Sequence, residues 1–188
     1  MENTIIYILG FPGTGKLTIA KEICKQADIK LVDNHLTCNP VFALIHTDGK
    51  TPLPESVWNN VAEIRRVVFN TMVNLSPADW SFVLTNALNK NDPDDIPIFK
   101  ATEEMAKARN ACFVPVRLLC GKEENLRRVV SPERKLNMKH ITPEGLERVR
   151  RDNDVFYSNH PNELTLDVTD LPAKKAAKLI LKHAEKSK

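Results

Sequence analysis

Nothing in this 188-residue sequence is apolar for long enough to cross a membrane, and its first residues offer neither a basic leader nor the apolar core of a secretion signal. Cysteine is sparse. Cys24, Cys38, Cys112 and Cys120 contain no C-x-x-C pair and no flanking histidine pattern, so neither a structural zinc site nor a disulfide framework is supported. Cys24, Cys112 and Cys120 fall within apolar runs and read as core packing. Cys38 lies in a polar stretch and also reads as structural, because a reactive thiol needs a lowered pKa. Charge of either sign is nearly balanced, 27 Lys and Arg against 24 Asp and Glu, and a net +3 by itself implies no polyanionic partner. Internal repeats and low-complexity tracts are missing as well. These absences leave the expectation of one well-cored, soluble, cytoplasmic domain, long enough to carry a small insert.

Glycine is also scarce, at six residues, yet three of the six stand at 10, 13 and 15. They belong to GFPGTGKLT, residues 10–18. The preceding stretch, 4–9, is apolar and β-branched and fits a buried strand. Leu17, Ile19, Ala20, Ile23 and Cys24 recur behind it at helical spacing, so the glycines lie where a helix N-terminus presents free backbone N–H groups to an anion. Glycines let the chain curl around phosphates, and Lys16 reaches the terminal ones. An ordinary glycine-rich turn and a dinucleotide site compete with this reading, the latter because Asp33 follows Gly10 at about the distance of a ribose-binding acid. That fingerprint wants glycine where Thr18 stands and has no use for Lys16, which favours nucleotide phosphates.

Further strands are expected at 29–33, 80–85, 112–119 and 164–168, and helices near 55–75, 98–110, 122–131, 143–157 and 172–186, with 89–97 a loop. Alternating strands and helices predict an α/β fold, a doubly wound five-stranded parallel sheet with helices on both faces. Ligands of such sheets bind at the carboxyl ends of the strands, where Asp33, Thr85 and Asn86 stand beside the loop at 10–16. Asp33 there suits accepting a hydroxyl proton or holding a magnesium-bound water; the plainer alternative is a cap for the next turn. On the helix near 58–72, Arg65 falls in the middle of the stripe of Trp58, Val61, Ala62, Val68, Phe69 and Met72, with Arg66 at its edge. A guanidinium so placed either points at a substrate or reaches the surface and a salt bridge. Between 127 and 140, Arg127, Arg128, Arg134, Lys135 and Lys139 face one acid, Glu133, between helix starts at Ser131-Pro132 and Thr142-Pro143. This segment reads as a lid of about 127–142 that closes over polyphosphate, in preference to a solvated charged face.

Together these features resemble the P-loop small-molecule kinases of the shikimate kinase, gluconate kinase and adenylate kinase type, and most of all a bacterial shikimate-kinase-like ATPase group. The resemblance covers nearly the whole chain; the phosphate loop is its specific part, and the rest is order and spacing. It implies that Lys16 and the backbone of 13–16 hold the β- and γ-phosphates of ATP, with Gly10, Pro12, Gly13, Thr14, Gly15, Leu17 and Thr18 completing the nucleotide-binding loop. It further implies that Asp33 assists the acceptor hydroxyl, that Arg127 or Arg128 stacks on adenine, and that Arg134 meets phosphate. His35, Arg65 and Asn86 become substrate contacts of a small-molecule acceptor. Two positions depart from the pattern. Leu17 stands where a serine or threonine usually ligates Mg2+, leaving the ion to water, Asp33 and the nucleotide. Thr85-Asn86-Ala87 replaces both a Walker-type acid and the glycine run of shikimate kinases, which argues against shikimate as substrate. A nucleotide or polynucleotide kinase, with an acidic acceptor on Arg65, Arg66 and the lid, is the alternative within the enzymes. A nucleotide-binding switch with little transfer is the alternative outside them.

Overall fold

A computed structural model describes residues 1–46, 51–131 and 142–188. Its described elements run β1 (Thr4–Leu9), α1 (Lys16–Gln26), β2 (Lys30–Val32), α2 (His35–Phe42), α3 (Glu55–Asn74), β3 (Phe82–Asn86), α4 (Asp95–Ala108), β4 (Cys112–Leu119), α5 (Lys122–Val129), α6 (Pro143–Asp152), β5 (Leu164–Asp167) and α7 (Ala173–Lys186). The five strands form one sheet in the order β2-β3-β1-β4-β5, every pair parallel.

Strand periodicity sorts the core into two layers. Ile5, Tyr7 and Leu9 of β1 point to one face, where they meet Met72 of α3, Phe99 and Met105 of α4 and Leu146 of α6. Ile6 and Ile8 point to the other, against Ile19 and Ile23 of α1 and Ala176, Ala177 and Ile180 of α7. All six residues of β1 are buried, as a central strand covered on both faces must be. Helices on both faces of a parallel sheet are the doubly wound arrangement expected, and α2 is an element additional to those expected. Pro40 inside α2 masks its pattern.

The boundaries differ where tertiary contacts override local pattern. Helix α4 starts at Asp95, inside the expected loop, because Pro97 in a first turn has no N–H to lose. Helix α6 stops at Asp152. The chain beyond it turns back to the segment after β3, with Lys90 N–H donating to the Asp154 carbonyl at 2.9 Å and Phe156 N–H to that of Leu88 at 3.0 Å. Among the described residues no helix is long and apolar enough to cross a membrane.

Candidate functional site

The loop joining β1 to α1 depends on glycine at three places. Gly13 and Gly15 have φ of +86° and +91°, a region L side chains rarely occupy. A Cβ on Gly10 would stand 2.8 Å from Thr14 Oγ1. Thr14 is fully buried and its hydroxyl donates to the Phe11 carbonyl at 2.9 Å, pinning the bend from inside. Helix α1 begins at Lys16 with no side-chain cap, so its first N–H groups face the loop's mouth. The Lys16 ammonium donates to the carbonyls of Gly10 at 2.6 Å and Phe11 at 2.9 Å, which sets the charge at that mouth. Leu17 is half-buried and Thr18 is exposed.

The sheet register brings the second group of residues to the same edge. Val32 pairs with Leu84, and Thr85 with Ile8, so Asp33 stands two strands from the end of β1, a lateral distance of about 10 Å. The Thr85 hydroxyl donates to the Asp33 carboxylate and accepts from Asn34 N–H at 3.4 Å. An open cleft of about 290 Å³ follows, lined by Asp33, Arg65, Asn86, Tyr7, Thr37 and Thr102 as polar groups and by Val32, Phe69 and Leu84 as an apolar wall. Arg65 is among the residues lining this cleft and, among the described residues, has no hydrogen-bond or ion-pair partner. Arg66 instead pairs with Glu63 at 2.9 Å on the outer surface. Asn86 donates from Nδ2 to Tyr7 Oη at 3.1 Å and accepts Ala87 N–H at 2.8 Å, which fixes its amide at the cleft wall. Burial pushes the Tyr7 phenol up to about 12, so it stays protonated near neutrality. Burial likewise raises the Cys38 thiol, in keeping with a structural cysteine.

Other expected residues separate. His35 begins α2 and meets Asn39 Oδ1 at 2.8 Å, outside the residues that line the cleft. Arg128 donates to the carbonyls of Val168 at 3.0 Å and Thr169 at 2.8 Å, and its guanidinium lies 4.0 Å from where a Gly15 Cβ would be. Arg127 turns outward onto Glu124 at 2.6 Å. Arg134, with the remainder of 132–141, lies outside the described residues. Among the described residues no three His, Cys, Asp or Glu side chains cluster as a metal site.

Sequence reasoning passed over Tyr7, although its hydroxyl interrupts an apolar strand. It also passed over Asn125 of α5, fully buried, whose Nδ2 donates to the Pro12 carbonyl at 2.8 Å. The signal for Asn125 was its place one helical turn before buried Val129, where a polar residue needs partners.

No protein-family model matches the chain, and no curated protein matches it in sequence. Solved structures do match. A protein of Chloroflexus aurantiacus provisionally named a kinase superposes with a TM-score of 0.70 at 16% identity, over 100% of each chain. A gluconokinase from Sinorhizobium meliloti gives 0.65 at 12% identity, over 98% of this chain and 93% of its own. The APS kinase of Mycobacterium tuberculosis, solved with AMPPNP and APS, gives 0.63 at 13% identity over 98% of both. The fold is therefore that of the P-loop small-molecule kinases.

Proposed function

We propose that this chain is an ATP-dependent kinase that transfers the γ-phosphoryl group to a hydroxyl of a small molecule. The observation that carries the reading is a glycine-built loop and a carboxylate at one sheet edge, two strands or about 10 Å apart laterally, with a cleft beside the carboxylate lined by an arginine that has no partner among the described residues. The backbone N–H groups of 13–16 and Lys16 bind the β- and γ-phosphates. Asp33, held by Thr85, orients the acceptor hydroxyl and takes its proton as the oxygen bonds to γ-phosphorus and the β,γ-bridging oxygen departs with ADP. Arg65 pairs with an anionic group of the acceptor, and Asn86 with Thr37 offers neutral contacts. His35 acts through α2 at the cleft's edge. Arg128 of α5, tied to two carbonyls of the loop before α7, borders the nucleotide, with Arg127 outside it. Arg134 is assigned to transition-state charge by the family resemblance alone.

Nucleotide and metal fit differently. The loop fits a triphosphate: a Cβ on Gly10 would collide with Thr14 within it, one on Gly13 would collide with Asn125 behind it, and a lysine stands at its mouth. For Mg2+, Leu17 has no oxygen to give, and Asp33 is the one acid lining the cleft among the described residues, so the residues fit an ion carried by the nucleotide and held through water. When bound, Mg2+ neutralises phosphate charge.

The test is Mg-ATP binding followed by a metabolite screen. At a hundred times its dissociation constant, ATP should stabilise the fold by about 2.7 kcal/mol. A melting curve unmoved by millimolar Mg-ATP, or moved equally in Lys16→Ala, overturns the reading. ATP consumption that no hydroxyl metabolite raises leaves a nucleotide-binding switch in its place.

A further inference from the structure

We infer that Asn125 and Arg150 act as a pair of positioning residues that hold the outer wall of the phosphate loop in its anion-receiving shape. For the Gly13 N–H to turn into the bowl, the Pro12 carbonyl of the same peptide must turn away from it, and a carbonyl turned into protein needs a donor. Asn125 supplies it from Nδ2 at 2.8 Å, from a position with 0% exposure. The other end of the same amide, Oδ1, accepts from an Arg150 terminal nitrogen at 2.9 Å. That nitrogen also donates to the Cys120 carbonyl at 3.1 Å, and the guanidinium lies 5.3 Å from the centroid of the Phe11 ring, inside the loop itself.

This arrangement has one sense only. Flipping the Asn125 amide would set a donor against the Arg150 donor and an oxygen against the Pro12 oxygen, so Arg150 dictates which end of Asn125 the loop meets. The fit is also steric, since a Cβ on Gly13 would lie 2.8 Å from Asn125 Nδ2. Arg150 has no carboxylate partner among the described residues. Its guanidinium stands behind the loop at 10–16, next to the Phe11 ring. Neither residue lines the cleft or touches the mouth of the loop.

The consequence for binding rests on the nucleotide reading above; the consequence for loop shape does not. Two readouts separate them. Arg150→Gln and Asn125→Ala should each raise the Mg-ATP dissociation constant about tenfold by isothermal titration, because a buried acceptor loses its donor or its orienting partner. The double variant should be no weaker than the weaker single, as expected when two residues act through one path. Without nucleotide, the backbone N–H resonances of Gly13 and Gly15 should shift in Arg150→Gln, although Arg150 contacts neither glycine, and Arg150→Lys should restore only part of the shift. A merely structural pair would lower the melting temperature while leaving both glycine resonances and the dissociation constant within about twofold of the parent, and that result overturns the inference. Should Asn125→Ala fail to fold, Arg150→Gln carries both readouts. Wild-type protein that binds no ATP, with glycine resonances that still respond to Arg150→Gln, removes the nucleotide reading and keeps the relay.

Discussion

The glycine loop at 10–16 and the cleft beside Asp33 share one edge of the sheet and are built from different materials. The loop is mostly backbone, with two glycines at positive φ, held by buried Thr14 from within and by buried Asn125 and half-buried Arg150 from behind. The cleft is mostly side chain. Its walls come from β1, β2, β3, α2, α3 and α4, and its cation, Arg65, is half-buried with no fixed partner among the described residues. A backbone site recognises what every nucleoside triphosphate has in common, whereas a side-chain site can be altered one residue at a time to suit an acceptor. Variants should therefore divide by which side they touch.

The largest division is expected at Asp33. Asp33→Asn keeps the size and removes the charge, so transfer should fall by about 10²–10⁴ while ATP-dependent thermal stabilisation persists. Steady-state turnover with an acceptor, or slow transfer to water, measures the first; a melting curve measures the second. Loss of both would move Asp33 to the nucleotide side, as the holder of a magnesium-bound water.

Arg65 comes next. Arg65→Met retains the apolar stem and removes the charge, so the acceptor KM should rise about 10- to 100-fold if a charged hydrogen bond is lost. The KM for ATP should stay within about twofold of the parent. Equal rises in both would erase the line between the two regions, and a flat acceptor KM would return Arg65 to a surface role.

The same division governs what the sequence disclosed. Gly10, Gly13, Gly15 and Lys16 are contiguous, and each has a conformational or electrostatic reason readable from neighbours in the chain. The sheet was legible too, because β1 and β4 are largely apolar runs, broken only by Thr4 and Arg117, and their helices have clear periodicity. Asp33 and Asn86 followed from strand ends. Arg65 could be placed on a stripe, but the choice between cleft and surface depended on the packing of α3 over β2 and β3. Asn125 and Arg150 were hidden because they are 25 residues apart in sequence and are joined by a hydrogen bond that the fold creates, with Asn125 reaching on to the Pro12 carbonyl.

A smaller effect is expected on the acceptor side at Asp95, which starts α4 and accepts Asn89 N–H at 2.7 Å. Burial pushes its carboxyl up to about 6, with Asp92 and Asp94 adding repulsion. An unfolded aspartate ionises near 3.9, so the folded chain holds this proton more tightly. The resulting destabilisation is absent below about pH 4, grows between about pH 4 and 6, and is complete above that. Asp95→Asn keeps an acceptor oxygen and removes the charge. Its urea midpoint should match the parent at pH 4 and exceed it by the equivalent of ~1 kcal/mol at pH 8, after allowance for solvent access. A gap independent of pH would mean that ionisation is not its cause.

The smallest effect, at Leu17, tests whether the backbone-built side is complete. Leucine follows Lys16 at the start of α1 and offers no oxygen, while the next residue, Thr18, is exposed. A threonine at 17 would place a hydroxyl where Mg2+ accompanies the β- and γ-phosphates, adding one oxygen ligand to an ion that otherwise relies on water, Asp33 and the nucleotide. One ligand exchanged for a water changes the balance modestly, because Mg2+ gives up water reluctantly. Leu17→Thr should therefore lower the magnesium concentration for half-maximal ATP binding by about two- to fivefold and leave the melting temperature without nucleotide unchanged. Titrating magnesium at fixed ATP measures this directly. An unchanged half-saturation in Leu17→Thr would mean that the ion's shell is already filled from the cleft side, and Asp33→Asn should then weaken the magnesium dependence that Leu17→Thr failed to move.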